Sequence, residues 1–208
     1  MDAQQKAPTF PDSVLRVGEG RGFMLGDDDS GDRFIITACH CLPHLPPAGP
    51  TYIEERIYQS FVSRLGEDRR VSVECLFADP VSDIAVLGQA DPQSCAEEAI
   101  EYSRFDEGIQ QPFRIGDASD EITHDIDAWL VSLDGHLFRC KMRGACIHQA
   151  AEDIAGGMSG SPILGNDGRA IAVLTNGRGI VEERCRESDR SPFLTKQLPG
   201  WILERLPR

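Results

Sequence analysis

Gly156-Gly157-Met158-Ser159-Gly160-Ser161-Pro162 is the stretch that decides how this chain is read. A serine hydroxyl is a poor nucleophile at neutral pH and needs an adjacent base. It also needs main-chain N–H groups to hold the negative oxygen that forms when it attacks a carbonyl. Glycines on both sides of Ser159 permit the backbone angles that aim two N–H groups at one point. Taken alone, the stretch is also an ordinary glycine-rich β-turn, because Gly and Ser are common turn residues. Ser161 is the alternative nucleophile by position, and Met158 is most simply a packing residue.

Two further motifs stand upstream. Thr37-Ala38-Cys39-His40-Cys41 follows the apolar run Phe34-Ile35-Ile36. Imidazole is the side chain whose unperturbed pKa suits a base near neutral pH, although a lone histidine at a strand end is more often structural. Ser82-Asp83-Ile84-Ala85-Val86-Leu87 puts a carboxylate at the entrance of an apolar strand. Such a carboxylate is unusual unless it is paired or caps a turn. Asp79, four residues earlier, is its rival.

The chain order His40, Asp83, Ser159, with Thr-Ala-x-His-Cys, Asp-Ile-Ala-Val-Leu and Gly-x-Ser-Gly-Ser-Pro around them, resembles the chymotrypsin-like (trypsin-fold) serine proteases. Other triad folds run Asp-His-Ser or Ser-Asp-His, and the nucleophile elbow of α/β-hydrolases wants glycine where Ser161 stands. The resemblance spans nearly the whole chain. It implies an all-β fold of two six-stranded antiparallel barrels with a short C-terminal helix. It further implies His40 as base, Asp83 as its orienter, Ser159 as nucleophile, and the N–H groups of Gly157 and Ser159 as the oxyanion hole. By the same resemblance Thr175, Asn176 and Gly177 line the substrate pocket. Asp153, six residues before Ser159, stands where trypsins carry the acid that selects Arg or Lys. It could equally be a solvated strand end, so basic and small or apolar side chains are both open as the residue preceding the cleaved bond.

The departures are informative. Secreted trypsins pair a new N-terminal amine with an aspartate before the nucleophile; Met158 occupies that position. Cys41 matches the cysteine after the histidine, yet the strand from Gly22 to Leu25 has no cysteine to meet it. The chain therefore resembles the disulfide-free, bacterial-type intracellular branch, switched by a partner or by loop ordering.

Composition sets bounds on these readings. With 208 residues, 40% of them hydrophobic, the chain can bury one large core or two lobes that share one. The net charge of −13 argues against a nucleic-acid surface, which needs clustered Lys and Arg, and favours basic partners by long-range steering. The N-terminal residues have no apolar signal-peptide core, and no run reaches the roughly 20 apolar residues of a membrane span. Seven unevenly spaced cysteines read as mostly reduced thiols, and a cytoplasmic location is expected. Cys39, Cys41 and His44 suggest zinc only weakly, since Cys-x-Cys is not the usual clip, and neither metal nor cofactor is expected.

Along the chain, residues 1–10 read as a flexible arm, 11–95 as the first barrel, 96–112 as a crossover with a helical turn at 96–102, and 113–208 as the second barrel. Short β runs recur at 13–17, 20–25, 33–37, 71–77, 84–87, 128–132, 137–142, 145–149, 162–164, 170–174 and 179–182. Residues 51–65 read as extended, with a short helix the alternative over 53–61. Asp134-Gly135 and Asn166-Asp167-Gly168 mark hairpin turns. Residues 198–206 read as an amphipathic helix with Trp201, Ile202 and Leu206 inward. The leading expectation is a serine endopeptidase acting on protein or peptide substrates, with an activating protein partner. The rivals are a latent or inactive trypsin-fold interaction module and, more remotely, a zinc-stapled structural protein.

Overall fold

The structure, a computed structural model, describes residues 12–26, 31–47, 52–117, 124–175 and 190–206. The N-terminal arm expected at 1–10 and the strand expected at 179–182 lie outside these residues.

Six strands close the first half into an antiparallel barrel. They are β1 (Val14–Val17), β2 (Gly20–Gly26), β3 (Arg33–Thr37), β4 (Ile57–Arg64), β5 (Val71–Asp79) and β6 (Ile84–Gly88), joined in the order β1-β2-β3-β6-β5-β4. Closure leaves no exposed strand edge. β2, β3 and β6 are buried almost throughout, which fits their near-continuous apolar sequence. Residues 53–56 form a single 3₁₀ turn before β4, so the extended and helical readings of that stretch each hold for part of it.

The second half is a five-stranded sheet. β7 (Ile126–Val131), β8 (Leu137–Arg143), β9 (Cys146–Ala150), β10 (Pro162–Leu164) and β11 (Ala170–Val173) are ordered β11-β10-β7-β8-β9. The expected second six-stranded barrel is therefore not seen closed among the described residues. At the β11 edge, the described residues add single bridges from Ile115 to Ala170 and from Phe193 to Ala172. The hairpin marker at Gly135 is realised with φ +91°, and that at Gly168 with φ +77°.

The crossover contains more helix than expected. α1 (Ala96–Glu107) runs for 12 residues, begins with Glu97 and Glu98 in its first turn, and ends at Gly108. Acidic side chains at a helix N-terminus are favoured by the exposed N–H groups there. Its buried Ala99 and Tyr102 face the barrel, where Tyr102 packs in a cluster with Val71, Val73 and Leu87.

The C-terminal segment is two short helices, α2 (Leu194–Gln197) and α3 (Gly200–Leu203). Leu198 is extended because the following Pro199 disfavours helical angles in the residue before it. Leu194, Leu198, Ile202 and Leu206 are buried at four-residue spacing, while Trp201 is 45% exposed and only meets Phe34 edge-on. The expected inward Trp201 is thus corrected. These four residues join Phe23, Leu25, Ile36, Val131 and Leu164 in one cluster, so a single core ties the barrel to the second sheet.

Candidate active site

His40 lies in a 3₁₀ turn (Cys39–Cys41) just beyond β3, and Asp83 lies in the turn before β6. Because β3 and β6 pair directly, with Thr37 opposite Ala85, the two turns meet at one end of the barrel. Asp83 Oδ2 lies 2.6 Å from His40 Nδ1, and Oδ1 accepts the His40 backbone N–H at 2.9 Å. The carboxylate therefore grips one residue twice, and in the neutral ring this contact places the proton on Nδ1 and leaves Nε2 as acceptor. Asp83 has φ +56°, a left-handed conformation for a residue with a side chain. Such strain costs about 1–3 kcal/mol and persists where the surroundings enforce it. Here its carbonyl also accepts from Cys39 N–H at 3.2 Å. Asp79, the rival carboxylate, accepts from the N–H groups of Val81 and Ser82 and so organises its own turn.

Ser159 arrives from the second half, between β9 and β10. Two successive turns shape it. Ala155 O accepts from Met158 N with Gly157 third at φ +91°, and Met158 O accepts from Ser161 N with Gly160 third at φ +85°. Positive φ at the third position marks type II turns, where glycine is strongly favoured. The N–H groups of Gly157 and Ser159 have no main-chain acceptor among the described residues, while those of Met158, Gly160 and Ser161 do. Met158 is buried, its sulfur accepting from Ala155 N–H at 3.3 Å. Ser161 is fully buried, and its Oγ has no partner among the described residues, which removes it from contact with a substrate.

Ser159 Oγ donates to Thr175 O at 2.9 Å. His40, Ser159 and Gly157 line one cleft of about 530 Å³ together with Gly20, Cys41 and Phe61. A neighbouring cleft is lined by Asp83, Thr175, Arg143 and Lys196. The structure thus brings His40, Asp83, Ser159, Gly157 and Thr175 together. Asp153 is exposed in the loop after β9 and lines neither cleft. Asn176 and Gly177 lie outside the described residues.

The contact with Asp83 raises the His40 pKa from its ordinary value to about 10, with Cys41 a secondary cause. Imidazolium is favoured because the carboxylate stabilises the charged ring. Cys39 is buried beneath the turn, and burial pushes its thiol up to about 12, away from the thiolate a metal would need. Among the described residues no three His, Cys, Asp or Glu side chains gather as a metal site. Cys39, Cys41, Cys75, Cys95 and Cys140 are free thiols, but Cys146 is disulfide-bonded, so the disulfide-free expectation does not hold. The remaining cysteine, Cys185, lies outside the described residues.

One residue at the site escaped the sequence reading. Arg21 in β2 is 4% exposed, and its N–H donates to Ser159 O at 2.7 Å. A charged residue inside the glycine-flanked, otherwise apolar Gly20–Leu25 run was the available signal.

The family model for the trypsin-like peptidase domain matches residues 20–173. No curated protein matches the chain. Among solved structures it is similar to Rv3671c from M. tuberculosis H37Rv in an inactive form, at 16% identity over 93% of this chain and 86% of that one, with a TM-score of 0.46. It is also similar to the MamO protease domain from Magnetospirillum magneticum in its apo form, at 14% identity over 96% and 98%, with a TM-score of 0.49.

Proposed function

We propose that this chain, which belongs to the trypsin-like peptidase domain family, is a serine endopeptidase that cleaves protein or peptide substrates with His40, Asp83 and Ser159. The observation that carries the reading is the 2.6 Å contact between His40 Nδ1 and Asp83 Oδ2, in a cleft that also holds Ser159. A histidine held by Nδ1 presents Nε2 as a base.

Ser159 Oγ attacks the peptide carbonyl while Nε2 takes its proton. The oxyanion of the tetrahedral intermediate takes the unpaired N–H groups of Gly157 and Ser159. Imidazolium then gives the proton to the departing amine as the C–N bond breaks, leaving an acyl-enzyme. Water, losing a proton to Nε2, attacks the ester, and collapse returns the proton to Ser159 Oγ and frees the carboxylic acid. The resting Ser159 Oγ bond to Thr175 O must first be exchanged for one to His40. Catalytic hydrogen bonds often form fully only with substrate bound.

That same bond favours the second reading, a latent trypsin-fold module that a protein partner activates. The two readings separate on hydrolysis of a peptide library read by mass spectrometry, with Ser159→Ala as control. Cleavage by the chain alone supports the peptidase. Cleavage only with an added partner supports latency. The residues preceding the cleaved bonds decide between basic and small or apolar preference.

A further inference from the structure

Arg21 is a buried cation whose guanidinium hydrogen bonds all go to main-chain carbonyls among the described residues, with Asp134 the carboxylate that acts on it through space. Its guanidinium donates to three successive main-chain carbonyls, Val131 O at 3.1 Å, Ser132 O at 2.7 Å and Leu133 O at 2.8 Å. Burial lowers its pKa, which records the cost of removing the charge from water. Asp134 offsets that cost only in part, since burial is the larger influence, and an apolar side chain could fill the same volume without it. The planar five-donor fork is nevertheless suited to holding several carbonyls in one arrangement, as a lysine point charge is not.

The groups that Arg21 holds surround the nucleophile turn. Its backbone N–H grips Ser159 O at 2.7 Å, and its own carbonyl accepts from Thr37 Oγ1 at 2.6 Å. The backbones touch so closely that a Cβ added at Gly160 would fall 1.8 Å from Arg21 O. On the far side, Leu133 Cδ2 would lie 3.5 Å from a Cβ at Gly157. The hairpin held by the guanidinium therefore lies beside Gly157, the residue before Met158 and Ser159 whose N–H has no main-chain acceptor among the described residues. The hairpin is also tied to the approach of that turn, through His136 Nε2 and Glu152 Oε1 at 2.7 Å.

We infer that Arg21 is a positioning residue, which braces the Gly157–Ser159 turn from the first barrel by holding Ser159 through its main chain and the 131–133 hairpin through its guanidinium. The inference rests on the serine peptidase reading above and deepens it. The brace acts on the pose of the oxyanion N–H groups, not on His40, so it should alter the chemical step more than substrate affinity.

The test compares wild type with Arg21→Met and Arg21→Lys in two measurements. Hydrogen–deuterium exchange of peptides covering 131–134 and 155–161 reads the brace without requiring activity. Fluorophosphonate labelling of Ser159, resolved into its saturating rate and half-saturating concentration and followed against pH, reads the consequence. The expected result is faster exchange in both peptides for Arg21→Met, a saturating rate roughly 10–100-fold lower, little change in half-saturation, and an unchanged pH midpoint. Arg21→Lys should fall between. If Arg21→Met does not fold, Arg21→Lys carries both measurements. Unchanged exchange at 155–161, or labelling at the wild-type rate, overturns the inference. Wild type that exchanges normally yet never labels overturns the peptidase reading instead, and exchange in the variants still decides the brace.

Discussion

Asp83 and His40 set opposing demands on one contact. The carboxylate that fixes the ring also raises its pKa to about 10, which favours the imidazolium, the form that cannot accept the Ser159 proton. The expected outcome is a labelling rate at Ser159 that climbs as pH rises above about 7, since the neutral form is the base. The sign for stability is the reverse. The pair's contribution is fully present below the ordinary histidine pKa of about 6.5 and is lost as pH rises through about 10. Thermal unfolding across that window checks the second, and pH-resolved labelling the first. Asp83→Asn should drop the midpoint toward about 6.5 and lower turnover by about 10⁴-fold, by loss of the correct tautomer. The three proposed catalytic residues were legible because each sits in a short motif. Arg21 and the Thr175 carbonyl were not, because their roles come from main-chain contacts between distant segments. Nor did the sequence show Asp153 to be exposed away from both clefts, since a charged residue in a loop reads the same either way.

Among elements, the nucleophile turn is the most constrained. Gly160 has φ +85° and no room for a Cβ beside Arg21 O. Gly160→Ala is expected to cost at least about 2 kcal/mol of stability and to suppress labelling of Ser159, checked by denaturant unfolding and intact mass. Gly157 faces looser surroundings but has φ +91°, so Gly157→Ala should disturb the turn more than the global fold. The strands were readable from alternating or continuous apolar runs between turn residues, and most match the expected segments within two residues. Of α1 only the first half was read, as a helical turn at 96–102, because only Ala99 and Tyr102 are buried in an acid-rich stretch whose periodicity is faint. The C-terminal helix was read as one piece because its apolar spacing continues through Pro199. The chain keeps the spacing and breaks the helix.

At the scale of the whole molecule, the halves are not independent. Phe23, Leu25 and Ile36 from the barrel share one core with Val131 and Leu164 from the second sheet and with Leu194 and Ile202 from the C-terminal helices. Calorimetry should therefore show one cooperative transition, and Ile202→Ala should lower stability by about 2–5 kcal/mol for both halves together. Two separable transitions would contradict the shared core. The negative charge of −13 is a property of the whole surface, and with a steered basic substrate kcat/KM should fall as ionic strength rises. A double-barrel architecture was the expectation from family resemblance. One closed barrel is present, and among the described residues the second half is a five-stranded sheet with single bridges from Ile115 and Phe193 at its β11 edge, a detail set by long-range packing that no local pattern carries. The proposed site exists only when both halves are assembled, because His40 and Asp83 come from the barrel and Ser159 from the sheet. Intact mass after fluorophosphonate treatment tests that most directly, with Ser159→Ala and His40→Ala beside wild type. The account predicts one adduct on wild type and none on either variant. Folded wild type without an adduct at any pH up to about 10, or an adduct that survives Ser159→Ala, would contradict it.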